Sequence, residues 1–410
     1  MSRATEYCNN VFDGTHDSPK PCKTGHKLLT SKNIMNGYID KTDSYYISDE
    51  DYNAINKRSQ VKQWDILFSM IGTVGNVCII TDKEIDFAIK NMGVFSCKNE
   101  YEAKWLYFYL QSNYVKRVIQ NYLNGAVQKF LPLGKLRDFE IPDFDESKKQ
   151  IVDLLWNIET KIRNNEKIIT ELESMAKTIY DYWFLQYEFP NQEGKPYKSS
   201  GGKMVYNEEL KKEIPEGWTI KRIDDIEDNI VTGKTPSTKD ENNFGGYIPF
   251  ITIDDIRQGL YISKTIRTLS EKGANLQAKK YIPENSICVT CIATVGLVGI
   301  TTKDSQTNQQ INSIVCQNKN NLYYLVNAIK DYFKYSSGAK TGNVFDNMNK
   351  EDFSSIKLVY PTENILNKYN DKMTPLYDSI KRKILENEEL TKFRDELLPL
   401  LMNGQVSFKK

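Results

Sequence analysis

"CIATVGLVGI", residues 291–300, repeats the pattern of "MIGTVGNVCI", residues 70–79. Setting Ala293 on Gly72 separates the copies by 221 residues, slightly more than half of the 410 in the chain. Short apolar runs resemble one another by chance, so a duplication requires a similar offset in segments of different composition. "GAVQKFLPLGKLRDFEIP" (125–142) aligns with "GNVFDNMNKEDFSSIKLVYP" (342–361), Gly125 meeting Gly342 at an offset of 217. Ile151, Leu155, Ile158, Ile162, Leu172, Met175 and Ile179 fall 218 residues before Tyr369, Met373, Leu376, Ile380, Leu390, Phe393 and Leu397. A period above 200 is far too long for a solenoid, which leaves two copies of a unit made of one domain and one long helix.

The domain halves read as α+β. Strand-like runs such as "DILFSMIG" and "NVCIITD" are broken by Gly and Asn, and "EYEAKWLYFYLQSNYVKRVIQ" (100–120) carries an apolar stripe at helical spacing. From 146 to about 185 the texture changes to a stretch without Gly or Pro, whose apolar residues step by three and four apart from Asn165. That is a coiled-coil seam; forty helical residues span about 60 Å. Residues 187–203, "YEFPNQEGKPYKSSGGK", read as a polar loop. Pro375, inside the second helical stretch, predicts a kink or a fresh helix start after Thr374. The organisation expected is a domain over 1–145, a coiled-coil helix over 146–186, a linker over 187–214, a second domain over 215–361, and a second helix with a tail over 362–410. The two helices, having matching seams, pair most economically with each other as an antiparallel coiled coil. Leu155, Ile158, Ile162, Leu172 and Ile179 would face Leu376, Ile380, Leu390 and Leu397.

Composition narrows the function classes. Net charge is +1, so any nucleic-acid binding rests on local patches or on a partner that supplies charge. No run of 18 apolar residues is present, and the first residues lack the apolar core of a secretory signal, which points to the cytoplasm without membrane association. Seven scattered Cys fit reduced thiols.

Three motifs invite chemical readings that their context does not support. "CVTC" (288–291) has no second pair to complete a zinc site, and its cysteines sit in a strand-like run that points them to opposite faces. "GKT" (233–235) has Asp228 where a phosphate loop needs its first Gly. "PDFDESK" (142–148) marks a strand-to-helix boundary, with Asp143 or Asp145 as the N-cap. With two His in the chain, a His-rich metal site is excluded by count. No nucleophile with a nearby base and no paired acids stand out, so recognition is favoured over catalysis, and neither a metal nor a cofactor bound by this chain is expected.

"DGTHDSP" (13–19), "LLTSKNIMNG" (28–37) with its counterpart "FITIDDIRQG" (250–259), the two T-V-G strands, "YDYWFLQYEFPNQEGKPYKSSGGKMVYNEELKKEIPEGW" (180–218) and "FRDELLPLLMNGQV" (393–406) stand in one order along the chain. In these stretches, and over essentially its whole length, the chain resembles the specificity subunit of type I restriction-modification systems. The resemblance implies two target recognition domains separated by two conserved helices, each domain reading one half of a bipartite site in double-stranded DNA. It implies helices that act as a ruler and a platform for two methyltransferase subunits. Those partners hold S-adenosylmethionine and methylate adenine, and restriction subunits with motor and nuclease activity join the full complex. One departure is visible: the first domain lacks the P-x-G-W opening seen at Pro215 to Trp218, which leaves its first strand undefined.

Base edges are read by Asn, Gln, Arg, Lys, Ser and Thr, so the Gly-punctuated loops shared by both copies supply the candidates. In the first copy these are Thr15, His16, Lys32, Asn33, Ser69, Thr73, Asn91, Gln128 and Lys129. In the second they are Lys234, Thr235, Thr252, Asp254, Thr290, Thr294, Asn308, Gln309, Lys340 and Asn343. The same residue types serve turns and strand ends through local backbone bonds, and Thr73 and Thr294 lie in a motif common to domains that should read different sequences. Rival readings are a specificity subunit of a related methylation-only or type II-like system, a stand-alone DNA-modifying enzyme, and a coiled-coil scaffold. The enzyme reading lacks an N-P-P-[FYW] adenine-methylation motif, and the scaffold reading leaves most of the chain unexplained.

Overall fold

The computed structural model describes the chain except residues 36, 125–129, 339–346, 403–404 and 407–410, with the backbone alone at 336–338. It divides into two compact units, residues 1–162 with 389–410, and residues 163–388. Each unit holds one α+β domain and a segment of both long helices, Lys149–Tyr180 and Glu363–Met402.

In the first unit, strands Asn10–Asp13, Met92–Ser96, Asp65–Ser69 and Val77–Ile79 form one antiparallel sheet in that order. A second sheet places His26–Thr30 between antiparallel Tyr45–Ile47 and parallel Phe87–Lys90. The second unit repeats this plan. Ile230–Thr232, Ile311–Ile314, Ile287–Thr290 and Val298–Thr301 lie in the same antiparallel order, extended by parallel Tyr261–Ile262. Phe244–Ile251 lies between antiparallel Arg267–Leu269 and parallel Gln306–Thr307. Two pseudo-equivalent domains are therefore built from one strand order, as the recurring offset required. The first strand, left undefined by the sequence, exists as Ser2–Arg3 against Glu140–Ile141, where the second copy pairs Thr219–Arg222 with Lys357–Tyr360.

The quoted T-V-G stretches are turns rather than strands. Each joins two antiparallel neighbours, with Gly75 N–H donating to Ser69 O at 3.0 Å and Gly296 N–H to Thr290 O at 2.9 Å. Gly72 and Ala293 both adopt left-handed φ, 76° and 64°. A conformation that costs an alanine about 1–2 kcal/mol is thus retained at the same place in both copies.

The two long helices pair antiparallel within each unit. In the first, Arg394 Nη1 donates to Glu159 Oε2 at 2.8 Å, and Ile151, Val152 and Leu155 share one core with Leu398 and Leu401, with Leu397 against its edge. Helix Glu100–Gln111 docks on this pair through Tyr107, whose hydroxyl donates to Glu159 Oε1 at 2.8 Å. In the second, Asn165 Nδ2 donates to Asn387 Oδ1 at 2.8 Å, and further along Trp183 meets Tyr369 at 5.6 Å between rings. Ile158, Ile162 and Ile380 are buried, and Leu172, Ile179, Leu376 and Leu390 are half-buried. Met175 and Phe393 are half exposed, so those two aligned positions lie off the seam.

Pro375 does not start a new helix: Glu363–Met402 is continuous through it. Met373, Tyr377 and Ile380, buried in the same core on either side of it, hold the turn that lacks one N–H bond. The segment 187–214 read as a linker is a packed element. Following a π-helical turn at Asp181–Leu185, Phe189 stacks on Tyr197 at 4.5 Å and on Trp218 at 5.0 Å, and Met204–Asn207 pairs with Lys212–Pro215. Its aromatic residues supply a core that the count of Gly, Ser and Lys conceals.

One buried carboxyl gives the fold a pH signature. Asp65, at the head of its strand, accepts from Lys62 N–H at 2.8 Å, yet burial pushes its pKa up to about 6. A group raised above its unfolded value stabilises the fold fully below that unfolded value, near pH 4, and the contribution is lost as pH rises through about 6. Asp65→Asn keeps an acceptor for Lys62 and removes the charge. The unfolding free energy of the variant, from urea melts, should gain on the parent's between pH 4 and 6 and then level, by at most about 3 kcal/mol; parallel curves would refute the assignment.

Candidate nucleic-acid interface

Two loops meet in each domain because a glycine lets their backbones touch. A Cβ on Gly14 would lie 2.5 Å from Ile89 O, and one on Gly233 would lie 2.2 Å from Asn308 O. In the first unit Thr15 N–H donates to Ile89 O at 3.0 Å and Asn91 N–H to Thr15 O at 3.1 Å. In the second Lys234 N–H donates to Thr307 O at 3.0 Å, and the buried Gln277 amide secures Lys234 O at 2.8 Å and Gln306 Oε1 at 2.7 Å.

The side chains above this shared backbone differ. In the first unit His16 lies between Asn91 and Asp13, with Nδ1 at 2.8 Å from Asn91 Oδ1 and Nε2 at 3.1 Å from Asp13 Oδ2. Arg58, exposed at the end of helix Asp49–Ser59, bonds the other Asp13 oxygen at 3.1 Å. In the second unit the equivalent positions carry neutral pairs: Thr235 Oγ1 donates to Gln309 Oε1 and Thr232 Oγ1 to Asn312 Oδ1, both at 2.6 Å. At these positions one domain presents a charged cluster and the other a hydroxyl-amide pair, Thr235 with Gln309, the second pair being closed off by the burial of Asn312.

Further candidate loops join each rim. In the first unit Ser31 Oγ donates to Asn91 O at 2.8 Å, and Asn76 Nδ2 donates to Ile34 O at 3.0 Å, which brings 31–34 and the turn carrying Thr73 alongside Asn91. In the second, Asn308 N–H donates to Ile251 O at 3.0 Å next to Thr252. Arg257 there clasps Asp254 at 2.9 Å and Thr294 Oγ1 at 2.7 Å. The candidates chosen by residue type thus gather on one rim per domain. Gln128, Lys129, Lys340 and Asn343 lie outside the described residues.

Several gathered residues are occupied by the fold. Asn33 Oδ1 accepts from Thr30 N–H at 2.8 Å and its amide donates to Asp40 O at 2.8 Å. Thr252 is bound through N–H and Oγ1 to Asp255 Oδ2, each at 2.7 Å. These are helix-start capping bonds, so Asn33 and Thr252 build the rim without presenting a free edge. Ser69 and Thr290 are buried at the ends of their strands, and Asn308 bonds Gln310 from both amide atoms, at 2.9 and 3.1 Å. His16, Lys32, Thr73, Lys234, Asp254 and Gln309 remain exposed, with Thr15, Asn91, Thr235 and Thr294 half-buried. Arg58 and Arg257 were absent from the sequence candidates. Nothing local marks Arg58, which reaches the rim only through tertiary packing, whereas Arg257 lies inside the quoted "FITIDDIRQG" and was legible there as its one basic residue.

Cys288 and Cys291 lie in separate apolar clusters, and burial pushes their thiols up to about 12 and about 11, which keeps both protonated. Among the described residues no group of three or more His, Cys, Asp or Glu could hold a metal ion, and no helix is long and apolar enough to cross a membrane. Asp145, not Asp143, caps the turn before the first long helix, accepting from Ser147 N–H at 2.9 Å; Asp143 accepts from Ser2 Oγ at 2.6 Å.

A family model described as the type I restriction modification DNA specificity domain matches residues 20–174 and again 215–391. The chain is 29% identical to the HindI type I restriction enzyme specificity subunit of Haemophilus influenzae, over 85% of this chain and 88% of that protein. It is 24% identical to the MjaIX specificity subunit of Methanocaldococcus jannaschii, over 74% of this chain and 69% of that one. The crystal structure of a type I restriction-modification S subunit from M. genitalium superposes with a TM-score of 0.55 at 13% identity, covering 98% of this chain and 95% of the other, a likeness of fold. The family model falls once on each copy of the duplicated unit, and the chain belongs to the type I restriction-modification DNA specificity family.

Proposed function

We propose that this chain is the non-catalytic recognition subunit of a type I restriction-modification complex, each domain reading one half of a bipartite site in double-stranded DNA. The observation that carries this reading is one rim built twice with different side-chain chemistry: Asp13, His16, Arg58 and Asn91 in one domain, Thr235 and Gln309 with Thr232 on its buried partner Asn312 in the other. A common frame with divergent edges is what two readers of different sequences require, because frame residues position and edge residues specify. Near-neutral net charge fits a subunit that reads bases while partners supply phosphate contacts. The paired helices set the spacer and dock two methyltransferase subunits, which carry the S-adenosylmethionine; restriction subunits join the same assembly in the cytoplasm.

The test is methyl transfer from labelled S-adenosylmethionine to DNA by this chain alone and after mixing with its methyltransferase subunits. The expected result is none alone and incorporation at bipartite sites in the mixture. Robust methylation by the isolated chain would overturn the proposal.

A further inference from the structure

In each domain one solvent-reaching carboxamide on the rim has its oxygen held by a residue of the neighbouring loop; Asn312, held likewise by Thr232, is buried. His16 and Thr235, the holders, stand three residues beyond Asp13 and Thr232, which pair with Gly93 and Asn312 in equivalent strands. His16 Nδ1 lies 2.8 Å from Asn91 Oδ1, and Thr235 Oγ1 lies 2.6 Å from Gln309 Oε1. Asn91 is fixed further by its left-handed backbone, φ 52°, and by Ser31 Oγ donating to its carbonyl at 2.8 Å.

This arrangement selects a chemistry. Holding the oxygen fixes which way each amide faces and leaves the oxygen its second lone pair. Among the described residues, neither amide nitrogen has a partner, unlike those of Asn33 and Asn308. An oriented acceptor beside a free N–H donor complements adenine in the major groove, where N6–H donates and N7 accepts. We infer that Asn91 and Gln309 are the adenine-reading residues of the two half-sites, with His16 and Thr235 as the positioning residues that hold each amide in the reading orientation. This rests on the proposed reading of the chain as a DNA-recognition subunit.

The experiment uses the complex assembled with its methyltransferase subunits and duplexes carrying its own methylated site. Each non-methylated adenine in turn is replaced by 7-deazaadenine, which removes the N7 acceptor. The parent complex should lose roughly tenfold in competition binding at one adenine in each half-site. Gln309→Ala should abolish that sensitivity in one half-site and Asn91→Ala in the other, while Thr235→Val should weaken the first without removing it. Gln309→Glu exchanges the donor for an acceptor and should shift preference at that position toward cytosine, whose N4–H donates; a fold defect cannot mimic this gain. Parent-like sensitivity in the alanine variants, both variants acting on one half-site, uniform weakening at every position, or a parent complex indifferent to 7-deazaadenine would each overturn the assignment. A parent complex with no bipartite site would instead remove the underlying reading of two half-site readers.

Discussion

Ile380→Asp should destabilise the second unit by more than about 4 kcal/mol, whereas Leu385→Asp, five residues along the same helix, should change it by no more than about 1 kcal/mol. Ile380 is fully buried in the core that also holds Ala176 and Tyr180 of the first long helix, Trp183 of the π-helical turn that follows it, and Tyr323 and Ile329 of the domain. Truncating a buried Ile costs about 2–5 kcal/mol. A carboxylate there adds either its own desolvation or the work of protonating it near neutral pH. Leu385 is 39% exposed, so a substituted carboxylate stays in water and little beyond helix propensity is lost. Urea unfolding followed by far-UV circular dichroism and by tryptophan emission, to which Trp183 and Trp218 contribute two of the five Trp, measures both variants. Equal midpoints would show that the seam, and with it the antiparallel pairing, had been assigned to the wrong face. The effect should extend to function, because the domain rests on the helices through buried polar bonds that need them in place. Asn327 Nδ2 donates to the Tyr377 hydroxyl at 2.8 Å, one helical turn from Ile380, and Lys177 pairs with the buried Asp331 at 3.2 Å.

The duplication and the paired seams were legible because they are periodic: an apolar side chain every three or four residues has few alternative explanations over forty positions. Of the two outcomes that Pro375 predicts, the fresh helix start does not occur, since a local rule about one missing N–H yields to a core that buries Met373, Tyr377 and Ile380 together. The segment 187–214 was under-read for the opposite reason. Its polar residues lie outside, while Tyr187, Phe189 and Trp218 pack with Phe184 at spacings that follow no helix or strand period. At the rim, residue type found the loops without ranking the residues in them. Asn33 and Gln309 are both amides in Gly-punctuated loops, yet one is a cap and the other is exposed. The Thr-x-x-Asn and Thr-x-x-Asp spacings at 30–33 and 252–255 were the available signal for the caps. No comparable signal reveals that His16 meets Asn91 or that Thr235 meets Gln309, because those partners are separated by 75 and 74 positions and brought together only by sheet pairing.

If the helices set the spacer, lengthening both should lengthen the recognised site, and the amount is fixed by two helices that must agree, one of protein and one of DNA. One heptad inserted between Ile162 and Arg163, with another between Glu388 and Glu389, keeps the seam in phase and adds about 10.5 Å, close to three base pairs at about 3.4 Å each. Those base pairs also turn the second half-site by about 100° around the DNA axis at 10–10.5 per turn. Seven residues, by contrast, bring an α-helix within about 20° of where it started. A single heptad therefore supplies length without the matching rotation, and methylation should be weak at every spacer. Three heptads in each helix add about 31.5 Å, near the 34–36 Å of one DNA turn, so the half-sites return to the same face. That variant should recover methylation at sites with both original half-sites and a spacer longer by about nine or ten base pairs. Mapping methylated adenines across the genome of cells carrying each variant decides the matter. Recovery at three heptads but not at one would identify the paired helices as a ruler that measures angle as well as distance. Methylation at the original spacer in the three-heptad variant would show that the helices do not measure the site at all.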